Sequence, residues 1–188
     1  SPTAATRPMS SWEMLMQSKV IIREARIGEY GKVASLTMAA YRPLFAGTGL
    51  PDDLGWYGAE LRDVAGRAER AEIIIAELDN QIVGSLAYHH DYASEVKSGN
   101  PEGCAGFRVL ATDPSCQGLG IGSALTQWCI DRARADGRVA LVLNTTDYMK
   151  AAQRLYRRLG FEPYPEIGYQ IGGSQPVEVL GFRLELKD

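Results

Sequence analysis

Three glycines stand at alternate positions, Gly118, Gly120 and Gly122, in the stretch DPSCQGLGIGSAL, and apolar residues at helical spacing follow at once. Glycine costs a helix about 1 kcal/mol per residue against alanine, so three of them at a helix start must serve something else. A helix N-terminus leaves N–H groups without partners and carries roughly half a positive elementary charge, which suits an anion. Glycine removes the Cβ that would block the approach and permits positive φ, so the backbone can curl round a phosphate. A nucleotide P-loop needs Lys and then Ser or Thr after its last glycine. Here Ser123 and Ala124 follow Gly122, and that motif is excluded. The dinucleotide pattern Gly-x-Gly-x-x-Gly fails at Ser123, and Asn144 stands where the acidic ribose ligand belongs. Two readings stay open at this point: a phosphate cradle, or a glycine-rich turn with no ligand.

Other reactive side chains are few. Cys104, Cys116 and Cys129 form no Cys-x-x-Cys pair. A disulfide framework or a zinc site is unsupported, and the pattern reads as reduced thiols in a cytoplasmic protein. Cys116, beside the glycines, is either a thiol activated near a helix N-terminus or a packed one. The 188-residue chain has a formal net charge of −3. That balance argues against duplex nucleic acid or an anionic membrane as main partner, so an anionic ligand needs a local device. No apolar run approaches the roughly 20 residues that span a bilayer, and the first residues lack a basic-then-apolar signal pattern. Residues 1–18 are expected to form a flexible arm ahead of one domain over 19–188.

The elements that must position these residues follow from periodicity. Residues 19–25 are β-branched and predict a strand. Val33, Leu36, Thr37 and Ala40 fall at helical spacing. A Gly/Pro-rich loop follows, and Asp52 or Asp53 is expected to cap a second helix over residues 54–70. Residues 73–77 and 82–89 predict a hairpin, with Asp79-Asn80 as its turn. Residues 104–112 predict a buried strand leading into the glycines. Ile121, Leu125, Trp128 and Cys129 then mark one face of a helix that Asp136-Gly137 stops. A strand is predicted to end near Asn144, and a helix follows with Met149, Ala152, Leu155, Tyr156 and Leu159 on one face. Residues 177–186 predict the last strand. The order indicates an α/β (α+β) single domain around one mixed sheet.

The segment Gln117-Gly118-Leu119-Gly120-Ile121-Gly122 matches Gln/Arg-x-x-Gly-x-Gly/Ala, with FRVLATDP before it and AAQRLYRRLGF about 35 residues later. In this pairing the chain resembles the GNAT family of N-acetyltransferases. The resemblance is strongest from Phe107 to Phe161 and weak in the two N-terminal helices. It implies a mixed, mostly antiparallel central sheet flanked by helices, with splayed central strands. It implies acetyl-CoA as co-substrate and no metal. Its pyrophosphate would lie on the main chain of Gln117, Gly118, Leu119, Gly120, Ile121, Gly122 and Ser123. Its pantetheine arm would pair with Val109, Leu110 and Ala111. The resemblance also puts Asn144 near the mouth of the splay, although a strand-end turn or a helix cap would equally suit that residue. It gives Tyr156 the role of proton donor to the leaving thiolate. A phenol has the chemistry for that role, and simple packing is the alternative.

Two family features are missing. Met149 stands where many members carry Asn, and Gly106 where many carry a Glu proposed as base. The remaining candidates for a base are His89, His90, Asp91 and Glu102, of which the histidines titrate in the right range. Direct transfer also needs an oxyanion donor, and a backbone N–H near Leu110 would supply it. The acceptor pocket is expected from residues 41–58 and 88–96. There Tyr41, Trp56, Tyr57, Tyr88, Tyr92, Asp52, Asp53 and Asp91 would suit a cationic amine, or form an ordinary polar surface. The resulting expectation is direct acetyl transfer from acetyl-CoA to an amine of a small molecule or peptide, with a homodimer as the expected assembly. The alternative is an acyl-CoA-binding regulatory module with little or no turnover.

Overall fold

The computed structural model describes residues 20–47, 49, 51–96, 99, 101–171 and 176–186. The expected N-terminal arm, Lys19 and the last two residues lie outside them. Eight strands form one sheet: β1 (Ile21–Glu24), β2 (Glu72–Leu78), β3 (Gln81–His89), β4 (Cys104–Thr112), β5 (Ala140–Thr146), β6 (Glu162–Pro163), β7 (Tyr169–Ile171) and β8 (Val177–Glu185). Their spatial order is β1-β2-β3-β4-β5-β8-β6, with β7 also paired to β8. Among the described residues every pairing is antiparallel except β4 with β5. β8 pairs with β5 on one edge, and with β6 and β7 over parts of the other.

Alternation along the strands separates two apolar layers. Ile73 and Ile75 face one side with α1 (Tyr30–Tyr41), α2 (Gly55–Arg62) and α3 (Val64–Ala68). Ile74 and Ala76 face the other, under α4 (Ile121–Ala135) and α5 (Lys150–Arg158). The hairpin turn forms as expected, with Asp79 and Asn80 at φ 49° and 61°. The single helix expected over residues 54–70 is two. Asp63 leaves helical geometry between them, and its carboxylate accepts from the Gly66 N–H at 2.9 Å, capping α3. The residue at the N-terminal cap of α2 is Leu54, at φ 61°, while Asp53 supports the turn by accepting from the Gly55 N–H. β6 and β7, two and three residues long, went unpredicted.

Among the described residues no helix is long and apolar enough to cross a membrane. No cluster of His, Cys, Asp and Glu there could hold a metal ion. The three cysteines are free.

Candidate active site

The parallel pairing of β4 with β5 runs for four residues and stops at Phe107 opposite Leu143. β5 stays paired with β8 through Thr146. β4 instead turns away, and the reason is a β-bulge. Ser85 pairs with Ala111 and Ala87 with Arg108, so the single residue Leu86 faces both Val109 and Leu110. Val109 sits at φ 56°, where a β-branched residue is held only by its surroundings. Val109, Leu110 and Ala111 therefore begin a fork between two strands. Among the described residues their β5-facing edge has no strand partner, and such an edge accepts an extended ligand by backbone pairing. Val109 and Ala111 pack with Met38, Tyr41, Tyr57 and Met149, while Leu110 packs with the layer under α4. Met149, at the position where an Asn was looked for, is thus an apolar wall of the fork.

The glycine stretch lies beyond the fork. The Asp113 carboxylate accepts from the Ser115 N–H at 2.8 Å and from its hydroxyl at 2.7 Å, which turns the chain after β4. Gly118 and Gly120 both take φ 79°, and Gly120 is the N-terminal cap of α4 with no side chain bonded to the helix end. The first bond into the helix runs from Ala124 to Gly120, so the N–H groups of Ile121, Gly122 and Ser123 lack intrahelical acceptors. Gln117, Gly118 and Gly120 are exposed. Gly122 differs from the other two. It is helical, and a Cβ there would meet Leu155 Cδ2 at 3.2 Å, so it sets the approach of α4 to α5. Cys116 is half-buried and packs against the core.

Tyr156, on α5, is 4% exposed, with ring centroids 5.9 Å from Phe107, 5.8 Å from Phe161 and 6.0 Å from Phe182. Phe107 is the last paired residue of β4, so Tyr156 stands under the crotch of the fork. Tyr41 and Tyr92 lie on the other face of the sheet. Burial raises the Tyr156 pKa, and the phenol of Tyr92 raises it further. Tyr156 in turn raises Tyr41, after burial.

The absent base has a structural cause. A Cβ at Gly106 would fall 2.2 Å from Tyr92 Cδ2 and 2.7 Å from the Val142 carbonyl. The Tyr92 ring occupies that space, and its hydroxyl donates to Asn144 Oδ1 at 3.1 Å. Asn144 lies just past the last β4–β5 rung, where the resemblance put it. Its amide is committed, donating to the Ile167 carbonyl at 2.9 Å. His89 is buried against Tyr92, 3.7 Å from Glu95, and burial holds its pKa down at about 4. His90 lies at the far end of α4, paired with Asp136 at 2.9 Å and Glu72 at 3.1 Å. Asp91 and Glu102 are exposed, and the Asp91 carboxylate accepts from the Ala93 N–H.

Of the acceptor residues, Tyr41 and Tyr57 form an aromatic cluster with Phe45 and Tyr148 on the α1/α2 side, and Trp56 stands 60% exposed at its edge. Tyr88 is on the opposite face, donating to Asp136. Asp52 and Asp53 are exposed, and Asp53 is bound to its own turn. Two residues were not anticipated. Arg108 and the nearly buried Glu95 meet at 3.5 Å on the α1/α2 side. A charge inside the apolar run CAGFRVLAT was the available signal for Arg108.

Comparison with known proteins gives three findings. The family model described as "Acetyltransferase (GNAT) family" matches residues 33–161. A mycothiol acetyltransferase of Cellulomonas flavigena is 36% identical over 92 residues, 48% of this chain and 26% of that protein. One of Thermomonospora curvata is 32% identical over 127 residues, 64% of this chain and 38% of that protein. The chain thus spans between a quarter and two fifths of the length of these relatives. A GNAT family acetyltransferase from Brucella melitensis, solved in complex with acetyl-CoA, superposes with a TM-score of 0.57 at 24% identity, covering 91% of this chain and 90% of that one.

Proposed function

The chain belongs to the GNAT acetyltransferase family, and on that premise we propose that it transfers the acetyl group of acetyl-CoA directly to an amine of a small molecule or peptide. The observation that carries the reading is the fork: a bulged strand with an unpaired edge, a glycine-lined helix start beyond it and a buried phenol beneath it. The exposed backbone at Gly118 and Gly120 fits a pyrophosphate, because a Cβ at either would occupy the space the anion needs. Val109, Leu110 and Ala111 offer the pantetheine arm a strand to pair with. A free N–H of the bulge, near Leu110, faces the carbonyl that becomes an oxyanion. Tyr156 gives its proton to sulfur as the C–S bond breaks.

The acceptor amine enters from the side of α1 and α2. Lacking a carboxylate at Gly106, the site removes the amine proton through water or takes the amine already neutral. The reading extends to a cytoplasmic homodimer, on the grounds of three free thiols and exposed Trp56 and Ile27. One monomer mass in light scattering over a wide concentration range would remove the dimer.

Thiol release from acetyl-CoA across a panel of amines tests the activity. Release with at least one amine is expected. Intact CoA binding with no release from any amine would make the chain a binding module instead.

A further inference from the structure

Arg108 lies in β4 between the last rung to β5 and the bulge. Its side chain is on the α1/α2 side and 41% exposed. Among the described residues its guanidinium makes one hydrogen bond, from Nη1 to Glu95 Oε2, at a long 3.5 Å. That carboxylate is shared. Arg70 Nε lies 3.3 Å from Glu95 and His89 Nδ1 3.7 Å. Among the described residues most of the five guanidinium donors therefore have no acceptor. Burial is nonetheless the strongest influence on the Arg108 pKa, opposed by Tyr92, Tyr169 and Glu95. The charge of Arg108 also reaches Tyr41 and Tyr57. A second guanidinium, that of Arg67, lies within reach of the first, held by the carbonyls of Glu60 and Leu61 at 2.6 and 3.0 Å. The α1/α2 side of the fork thus brings Arg108 and Arg67 near Tyr41 and Tyr57, with the Glu95 carboxylate shared among Arg70, Arg108 and His89. Asp52, Asp53 and Asp91 are exposed, and two of them bond to their own turns.

A lone ammonium is a poor guest beside an under-paired guanidinium. A half-desolvated, under-paired guanidinium is stabilised by an anion, and its planar fork of donors matches a carboxylate bidentately. Two residues of strand, about 7 Å, separate Arg108 from Leu110, where the carbonyl carbon would be attacked. An amine and a carboxylate on one small molecule span such a gap with the arginine side chain reaching in. Resting on the acetyl-transfer reading, we propose that Arg108 selects acceptors in which a carboxylate lies close to the reacting amine, as in an amino acid.

The test pairs L-amino acids with their carboxamides as acceptors. One charge-assisted bidentate contact should favour the acid by about 10- to 100-fold in kcat/KM. Arg108→Gln should bring that ratio near one, chiefly through a raised KM for the acid, and Arg108→Lys should keep part of it. Calorimetric titration of the same acids into the CoA complex reads the preference without turnover. The wild-type acid-to-amide ratio needs no variant, so a misfolded Arg108→Gln protein would not spoil the test. CoA affinity, measured alongside, separates the failures. Wild-type protein that binds no CoA would overturn the coenzyme reading and this one with it. Wild-type protein that binds CoA yet handles amides as well as acids overturns only the assignment of Arg108. A folded Gln variant that keeps the preference does the same.

Discussion

At the scale of single residues, the phenol of Tyr156 is under a definite constraint. Burial raises its pKa, so it is protonated at any physiological pH and is available only as an acid. A raised pKa would make it a poor donor to a thiolate in water. In the proposed transfer the leaving thiolate would be desolvated by the same fork, and its basicity would rise for the same reason. Tyr156→Phe keeps the ring among Phe107, Phe161 and Phe182 and removes only the proton. A positioned general acid contributes about 10²–10⁴-fold, so single-turnover acetyl transfer should slow by that factor with CoA affinity unchanged. A Phe variant at wild-type rate would reduce Tyr156 to a packing residue. His89 supplies a second prediction. Its pKa is held at about 4 in the folded protein and returns to about 6.5 on unfolding. The unfolded state therefore binds the proton first, and stability falls as pH drops from 6.5 towards 4. The loss is of the order of 3 kcal/mol. Glu95, Arg70 and Arg108 face the ring. Denaturant midpoints of His89→Phe should decline less steeply across that window than those of wild type. Parallel curves would show that the buried ring carries no such linkage.

At the scale of elements, three glycines at one helix start divide their work. Gly118 and Gly120 need positive φ, and Gly122 needs room for Leu155. Gly120→Val combines a strained φ with a branched side chain in the cradle, and calorimetry should show CoA binding weakened by about 10-fold or more. Unchanged affinity in a folded variant would move the pyrophosphate elsewhere. Gly106→Ala should instead cost stability, about 1–3 kcal/mol by denaturant unfolding, because Tyr92 and the Val142 carbonyl leave no space for a methyl. β4, residues 104–112, was legible to the residue because a buried apolar run is bounded by turn residues on both sides. The start of α4 and the stop at Gly137 were legible from glycine and periodicity. The break at Asp63 was not, since a cap inside a helical pattern looks like one more polar position. β6 and β7 are too short for periodicity, and Pro163 argues against a strand. Glu95 was invisible because its partners, Arg70, His89 and Arg108, are brought to it only by the sheet.

For the whole molecule, the fork has a mechanical consequence. Strands β1 to β4 and strands β5 to β8 are each antiparallel, and four parallel rungs join them. Past Phe107 and Leu143 the two halves are held by α4 and α5 on one face, through Leu110, Leu125, Leu155 and Tyr156, and on the other by Val109 and Ala111 packing with Met149 and by Phe45 against Tyr148. A ligand lying in the fork and reaching the start of α4 contacts both halves and the helix between them. Binding confined to the folded state adds about 2.7 kcal/mol at a ligand concentration of 100 Kd. For a chain of this length each kcal/mol is about 2–4 °C in Tm, so saturating CoA should raise the melting temperature by about 5–11 °C. Gly120→Val should lose most of that shift at the same concentration. Hydrogen exchange locates the effect. Amides of residues 109–111 and of 121–123 should slow on binding, because the ligand would pair along the first segment and supply acceptors to the second. The amides of β1 and β2, already paired and far from the fork, should slow only if the entire sheet is stabilised. Protection limited to 121–123, with 109–111 still exchanging freely, would mean that the anion is held while the pantetheine arm does not pair with β4. That outcome would refute the fork as the transfer site and leave the cradle standing.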